Sequence, residues 1–197
     1  MKILILSQPN AVSPGLHQAI CQELLIRDHQ LILVLNKHQK SPTSCWINDG
    51  QSLVKTLSLV WNKSRYKHQI KVLRHDNRLE YLSLIEDVAH TDNNIDIVLV
   101  YEPGILIRNS ADIIIRNWPN TLFAIAYRVY GRGQTCKVYT GPQVDVSLVL
   151  TGDNSVVIST AKTMESTLGS NQDLAKAIAD ALELRRGIKT INQKVLK

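Results

Sequence analysis

The first 35 residues contain the feature that most narrows the fold. "KILIL" (Lys2 to Leu6) is a continuous apolar run, and "QLILVL" (Gln30 to Leu35) is a second. Runs without alternation mark strands buried on both faces of a sheet. Between them, from about Pro14 to Arg27, Leu16, Ala19, Ile20 and Leu24 recur at helical spacing. Ser13 stands where a helix cap belongs, and Pro14 in the first turn, where a missing N–H costs nothing. Strand, helix and strand in so short a span form a βαβ unit. The two strands are therefore expected to be parallel, joined by a right-handed crossover.

The rest of the chain extends this pattern. "IDIVLVY" (Ile95 to Tyr101) is another buried strand, and Leu122 to Tyr130, between Pro119 and Gly131, is a further one. "VDVSLVL" (Val144 to Leu150) and "VVIST" (Val156 to Thr160) flank "TGDNS", a turn of the hairpin type, so this pair is expected to be antiparallel. Helical spacing appears over Gln51 to Asn62 and Leu79 to Ala89, and in "IRNSADIIIRNWP" with Asn109 or Ser110 as its cap. A last helix is predicted from Asn171 to Arg186, closed by Gly187. The expected architecture is α/β and Rossmann-like: a mainly parallel twisted sheet, helices on both faces, and a C-terminal β-hairpin plus helix. One domain is expected over residues 1–187, with 188–197 a loosely ordered tail.

Composition excludes several classes. At 44% hydrophobic and 20% charged residues the chain is globular rather than disordered. No apolar run approaches the ~18 residues of a membrane span, so no membrane partner is expected. Cys21, Cys45 and Cys136 are scattered and odd in number, which disfavours a disulfide framework and implies a reducing, cytoplasmic setting. The six histidines show no metal-ligand spacing and are expected at surface or partly buried positions. GxGxxG, the P-loop and GxSxG are all absent. The net charge of +6 is concentrated in one stretch, with Lys63, Arg65, Lys67, Lys71, Arg74 and Arg78 close together. It is either a solvated basic face or a surface for a protein partner or RNA, the latter with salt-dependent binding.

In doubly wound sheets the ligand lies outside the carboxyl ends of the strands, near the switch in strand order. Three segments are expected there: "SQPNAVSPG", "EPG" and "YRVYGRG". They supply Asn10 and Glu102 as contacts, and Arg128, Tyr130 and Arg132 as an anion-binding lip. Glu102 and Asp153 are the candidate catalytic carboxylates, with Asp145 a further acid near the hairpin.

These segments carry a resemblance. "KILILSQPNAVSPGLHQAI" resembles the opening of the formyltetrahydrofolate-dependent formyltransferases, particularly the methionyl-tRNA type, whose first loop holds a Thr-Pro-Asp-Phe-Ala-Val-Pro run. "IDIVLVYEPGILI", "NWPNTLFAIAYRVYGRG" and "VSLVLTGDNSVVIS" are similar to later segments of that family, so the resemblance spans most of residues 1–160 in element order. It implies formyltetrahydrofolate as cofactor and an Asn-X-His on the strand from Leu122, helped by a later Asp. This chain departs at those positions, with Ala124 for the Asn and Ala126 for the His, and Asp153 as the nearest acid. Losing one oxyanion donor costs about 100–1000-fold in rate, and here both groups are gone. Three readings follow: a formyltransferase-like module without transfer activity that binds a small molecule or protein partner; a divergent transferase using Glu102, Asp153 or Arg128; and an RNA-binding protein using residues 63–78.

Overall fold

The computed structural model describes residues 1–7, 12–36, 69–75, 78–101, 105–128, 144–151, 155–160 and 163–195. The helix expected over Gln51 to Asn62 lies outside them. In chain order the elements are β1 (Lys2–Ser7), α1 (Pro14–Ile26), β2 (Gln30–Asn36), β3 (Ile70–His75), α2 (Arg78–Thr91) and β4 (Ile97–Tyr101). They continue with α3 (Ile105–Asn117), β5 (Leu122–Arg128), β6 (Val146–Leu150), β7 (Ser155–Ser159), β8 (Met164–Leu168) and α4 (Asn171–Val195).

The eight strands form one sheet in the order β3-β2-β1-β4-β5-β6-β7-β8. From β3 to β6 all neighbours are parallel, and β6–β7 and β7–β8 are antiparallel. The first six positions follow the doubly wound order, so the fold is Rossmann-like with an antiparallel extension. Both expectations for strand direction hold: β1 and β2 are parallel, and β6 and β7 form a hairpin.

Each central strand faces two apolar layers, which explains its continuous hydrophobic run. Ile3, Ile5, Leu31, Leu33, Ile97 and Leu99 join the layer of α1 and α4. Leu4, Leu6, Ile32, Val34, Val98 and Val100 join that of α2 and α3. β5 obeys the same alternation: Leu122, Ala124 and Ala126 face α1 and α4, while Phe123, Ile125 and Tyr127 face the other way.

Local chemistry sets several boundaries. α1 ends because Asp28 adopts a left-handed φ of 58°. The Asp28 N–H then reaches the Leu25 carbonyl at 3.0 Å and the His29 N–H the Leu24 carbonyl at 3.1 Å, a Schellman closure. α3 begins at Ile105 rather than at Asn109 or Ser110, which lie inside it. Its end is pinned by buried Trp118, whose indole N–H donates to the Asp92 carbonyl at 3.0 Å.

Two strands went unforeseen. β3 runs through the basic stretch, and its "IKVLRH" reads as polar because it lies at the sheet edge. β8, "MESTL", is the opposite edge and mostly exposed, so it has no apolar run.

The C-terminal helix requires a larger correction. Gly187 does not close it, and residues 188–195 are not a loose tail, because α4 continues to Val195. Contacts distant in sequence hold the extra turns. Arg186 donates to the Asn120 carbonyl at 2.7 Å and pairs with Asp96 at 3.0 Å. Lys189 donates to the Thr121 carbonyl at 2.8 Å and pairs with Asp145 at 2.7 Å. Asp96 and Asp145 also accept the backbone N–H groups of Lys2 and Phe123, at 2.9 and 2.8 Å. Each carboxylate thus joins α4 to the first residues of a strand.

If these bonds hold the helix, Lys189→Met should cost about 1.5–3 kcal/mol in urea unfolding, the range for hydrogen bonds to charged groups. Deleting residues 188–197 should cost at least as much. An unchanged midpoint in both variants would return the segment to the status of a passive tail.

Candidate functional site

The strand order reverses direction at β1, which has β2 on one side and β4 on the other. The carboxyl ends of β1 and β4 are therefore where a ligand sits in sheets of this class. β4 ends in Tyr101, in register with Ser7 of β1 and Ala126 of β5. Tyr101 is buried on the α1 side of the sheet.

α1 brings two further polar side chains to that side. His17 and Cys21 are four residues apart, so they share a helix face, and both are fully buried. The imidazole stands edge-on to the Tyr101 ring, with centroids 5.1 Å apart and planes at 84°. Cys21 Sγ lies 3.6 Å from His17 Nε2. The Tyr101 hydroxyl has no hydrogen-bond partner among the described residues.

Burial decides the protonation of this trio. It lowers His17 to about 3 and pushes Cys21 up to about 12. Tyr101 is raised well above the usual phenol range by burial, with the neighbouring Cys21 adding to the shift. At neutral pH all three are uncharged. The cluster provides hydrogen-bonding groups but neither a thiolate nucleophile nor an exposed base. Sequence reading missed it, treating the histidines as surface or partly buried groups and Cys21 only as one of three scattered cysteines. The available signal was position: His17 and Cys21 fall beside Leu16, Ile20 and Leu24 on the inward stripe of α1.

A second polar feature lies where α1 and α4 both begin. Ser13, Leu16, Leu150, Thr151, Ser155, Asn171 and Leu174 line a partly open cavity of about 20 Å³, room for one water. The helix starts are tightly apposed, since a Cβ on Gly15 would come within 2.7 Å of Asn171 Nδ2. Ser13 occupies the N-cap position of α1, but its side chain makes no capping bond. α4 has a reciprocal cap instead. The Asp173 carboxylate accepts the Ser170 hydroxyl and N–H at 2.7 and 2.9 Å, and Ser170 Oγ accepts the Asp173 N–H at 3.3 Å. These Ser170 bonds hold Asp173 below the ordinary carboxylate range.

The residues singled out from sequence fare unevenly. Asn10, Glu102, Tyr130, Arg132 and Asp153 lie outside the described residues, as do Lys63, Arg65 and Lys67. Arg128 ends β5, Arg74 lies in β3 and Arg78 begins α2, with only their backbones described. Lys71 is exposed and lies 3.3 Å from Asp92, which Lys2 also binds at 2.8 Å. Hydrogen bonding to Lys2 is the main cause of a lowered Asp92 pKa, with Lys71 contributing. Asp145 is structural, bonded to Phe123 and Lys189. Ala124 and Ala126 are buried in the layer shared with α1 and α4.

The buried imidazole has a consequence for acid stability. A His held at about 3 in the folded chain and near 6.5 when unfolded leaves the unfolded state binding more protons between those values. Stability should therefore fall as pH drops from about 6.5 towards 3, with that contribution fully lost below 3. Urea midpoints from pH 7 to 4 should slope less steeply for His17→Leu. Parallel slopes would show that His17 is not the titrating group.

No family model matches the sequence, and no curated protein matches it. The solved structures that align with the chain share little sequence with it. A Rossmann-fold NAD(P)-binding family protein from Shigella flexneri aligns at 12% identity and TM-score 0.47, over 92% of this chain and 86% of that one. A possible 1-phosphofructokinase from Thermotoga maritima aligns at 9% identity and TM-score 0.43, over 83% and 76%. A 3-oxoacyl-reductase-like structure from Bacillus thuringiensis aligns at 10% identity and TM-score 0.39, over 68% of this chain and 58% of its own length. This chain therefore spans less than two thirds of that reductase structure.

Proposed function

We propose that this chain is a formyltransferase-like binding module, which holds a small ligand of the reduced-folate type at the carboxyl ends of β1 and β4 without transferring a formyl group. The reading starts from the resemblance of residues 1–160. One observation carries it: Ala126 is buried beside Tyr101, in the layer between the sheet and its two covering helices. Formyl transfer of the family type needs a hydrogen-bond donor and a proton-transferring group at the positions of Ala124 and Ala126, and a methyl group supplies neither. An imidazole at 126 would be enclosed in apolar surroundings rather than presented to a ligand. The polar groups on the same side, His17, Cys21 and Tyr101, are neutral at physiological pH. Fully buried, they offer no acid–base group to a ligand at the strand ends.

Calorimetric titration of the purified chain with 5-formyltetrahydrofolate tests this reading. The expected result is saturable binding, with formyl transfer to methionyl-tRNA at least about 100–1000-fold below that of an enzyme with an intact oxyanion site. Ala126→His should not restore transfer, and should cost about 1–3 kcal/mol in stability from burying an unpaired polar group. Absence of binding, or efficient turnover by the native chain, would overturn the reading.

A further inference from the structure

α4 is held to the domain in two different ways. Its first half buries Leu174, Ala175, Ile178, Ala179 and Leu182 in the apolar layer over the sheet. From Leu184 to Gln193 it buries no apolar side chain, since Leu184, Ile188 and Ile191 are all exposed. What holds these later turns is polar. Arg186 reaches Asp96 and the Asn120 carbonyl, Lys189 reaches Asp145 and the Thr121 carbonyl, and Arg185 donates to the Thr163 hydroxyl.

These turns have little helical preference of their own. Gly187, Ile188, Thr190, Ile191 and Asn192 are weak helix formers, and a segment of about a dozen residues is too short to stay helical alone in water. Packing within the chain does not demand the glycine, because a methyl group added there would meet nothing within 4 Å. Thr190 donates its hydroxyl back to the Arg186 carbonyl at 2.9 Å, a bond that slightly weakens a helix. Helicity here therefore depends on the anchors.

The anchors differ from the apolar first half in that solvent ions can reach them. The side chains of Arg186 and Asp96 are 17% and 35% exposed, and those of Lys189 and Asp145 are 27% and 31%. The screening length falls from about 30 Å at 0.01 M salt to about 3 Å at 1 M. Apolar burial has no charge to screen. Salt therefore acts on one half of the helix and spares the other.

We propose that residues 184–195 form an ionic strap, closed at low ionic strength and released as a unit when its two ion pairs are screened, while the first half of α4 stays docked. The boundary falls after Glu183, which Arg27 and His29 still hold. The closed strap lies along the amino ends of β1, β4, β5 and β6, four neighbours in the sheet. Asp96 and Asp145 stand just before β4 and β6 and bind the backbone N–H groups of Lys2 and Phe123 in β1 and β5. Opening uncovers both carboxylates and the carbonyls of Asn120 and Thr121, and the freed strap unwinds.

Amide exchange of the full chain, followed at one pH in about 0.01 M and about 1 M sodium chloride, tests the proposal. In the dilute salt, amides 186–193 should be as protected as those of Leu174 to Leu182. In the concentrated salt they should exchange roughly tenfold faster or more than the first half, the scale of two part-exposed ion pairs. Asp96→Asn with Asp145→Asn keeps an acceptor for the strand N–H groups and removes the charge. Arg186→Gln with Lys189→Gln changes the same bonds from the helix side, in case the first pair fails to fold. Either pair should give a fast strap already in dilute salt, with no further acceleration. Equal protection of the strap at both salt concentrations overturns the proposal. So does a strap that is fast in dilute salt in the unaltered chain, or a salt response that survives the substitutions.

Discussion

One face of this domain depends on how α4 is held. At 25 residues it is about 37 Å long, while the strands beneath it have five to seven residues and reach only ~17–24 Å. The helix handles that mismatch by dividing its work. Leu174, Ala175, Ile178, Ala179 and Leu182 bury an apolar stripe against the sheet and α1. Beyond them, Arg186 and Lys189 anchor the overhanging turns to Asp96, Asp145 and the carbonyls of Asn120 and Thr121. Arg27 of the α1 end joins the same arrangement, paired with Glu23, Asp180 and Glu183. Desolvation works against its charge, but these three carboxylates win and raise its pKa.

This packing bears on function because it competes for positions that chemistry would need. Ala124 and Ala126 share their layer with Ala175 and Ala179, so small side chains of β5 and α4 occur together in the same core. A larger polar group there would need both space and a hydrogen-bond partner, and burial without a partner is costly. The alanines of β5 thus have a packing explanation. The polar chemistry that survives on this face is the His17–Cys21–Tyr101 cluster, neutral and enclosed.

Legibility in the sequence followed burial. β1, β2 and β4 were plain because strands covered on both faces have uninterrupted apolar runs, and the β6–β7 hairpin was plain because its turn residues are distinctive. β3 and β8 were not, because edge strands have one face or more in water and their sequences become polar. The length of α4 was misjudged for a different reason. Gly187 is a locally correct stop signal, and what overrides it are bonds to residues some 44 to 90 positions away. The fold class was readable, because the pattern of buried strands and helices dictates it. The buried trio was not, because a histidine looks polar in a sequence until the helix face it shares with Leu16 and Ile20 is known to be inside.

Hydrogen exchange along α4 tests the account most directly. If Arg186 and Lys189 anchor the helix to the strand starts, amides from about 186 to 193 should exchange as slowly as those of Leu174 to Leu182, through the same cooperative opening. Fast exchange beginning at Gly187, with slow exchange before it, would contradict the account and reduce the second half of α4 to a frayed extension of the first.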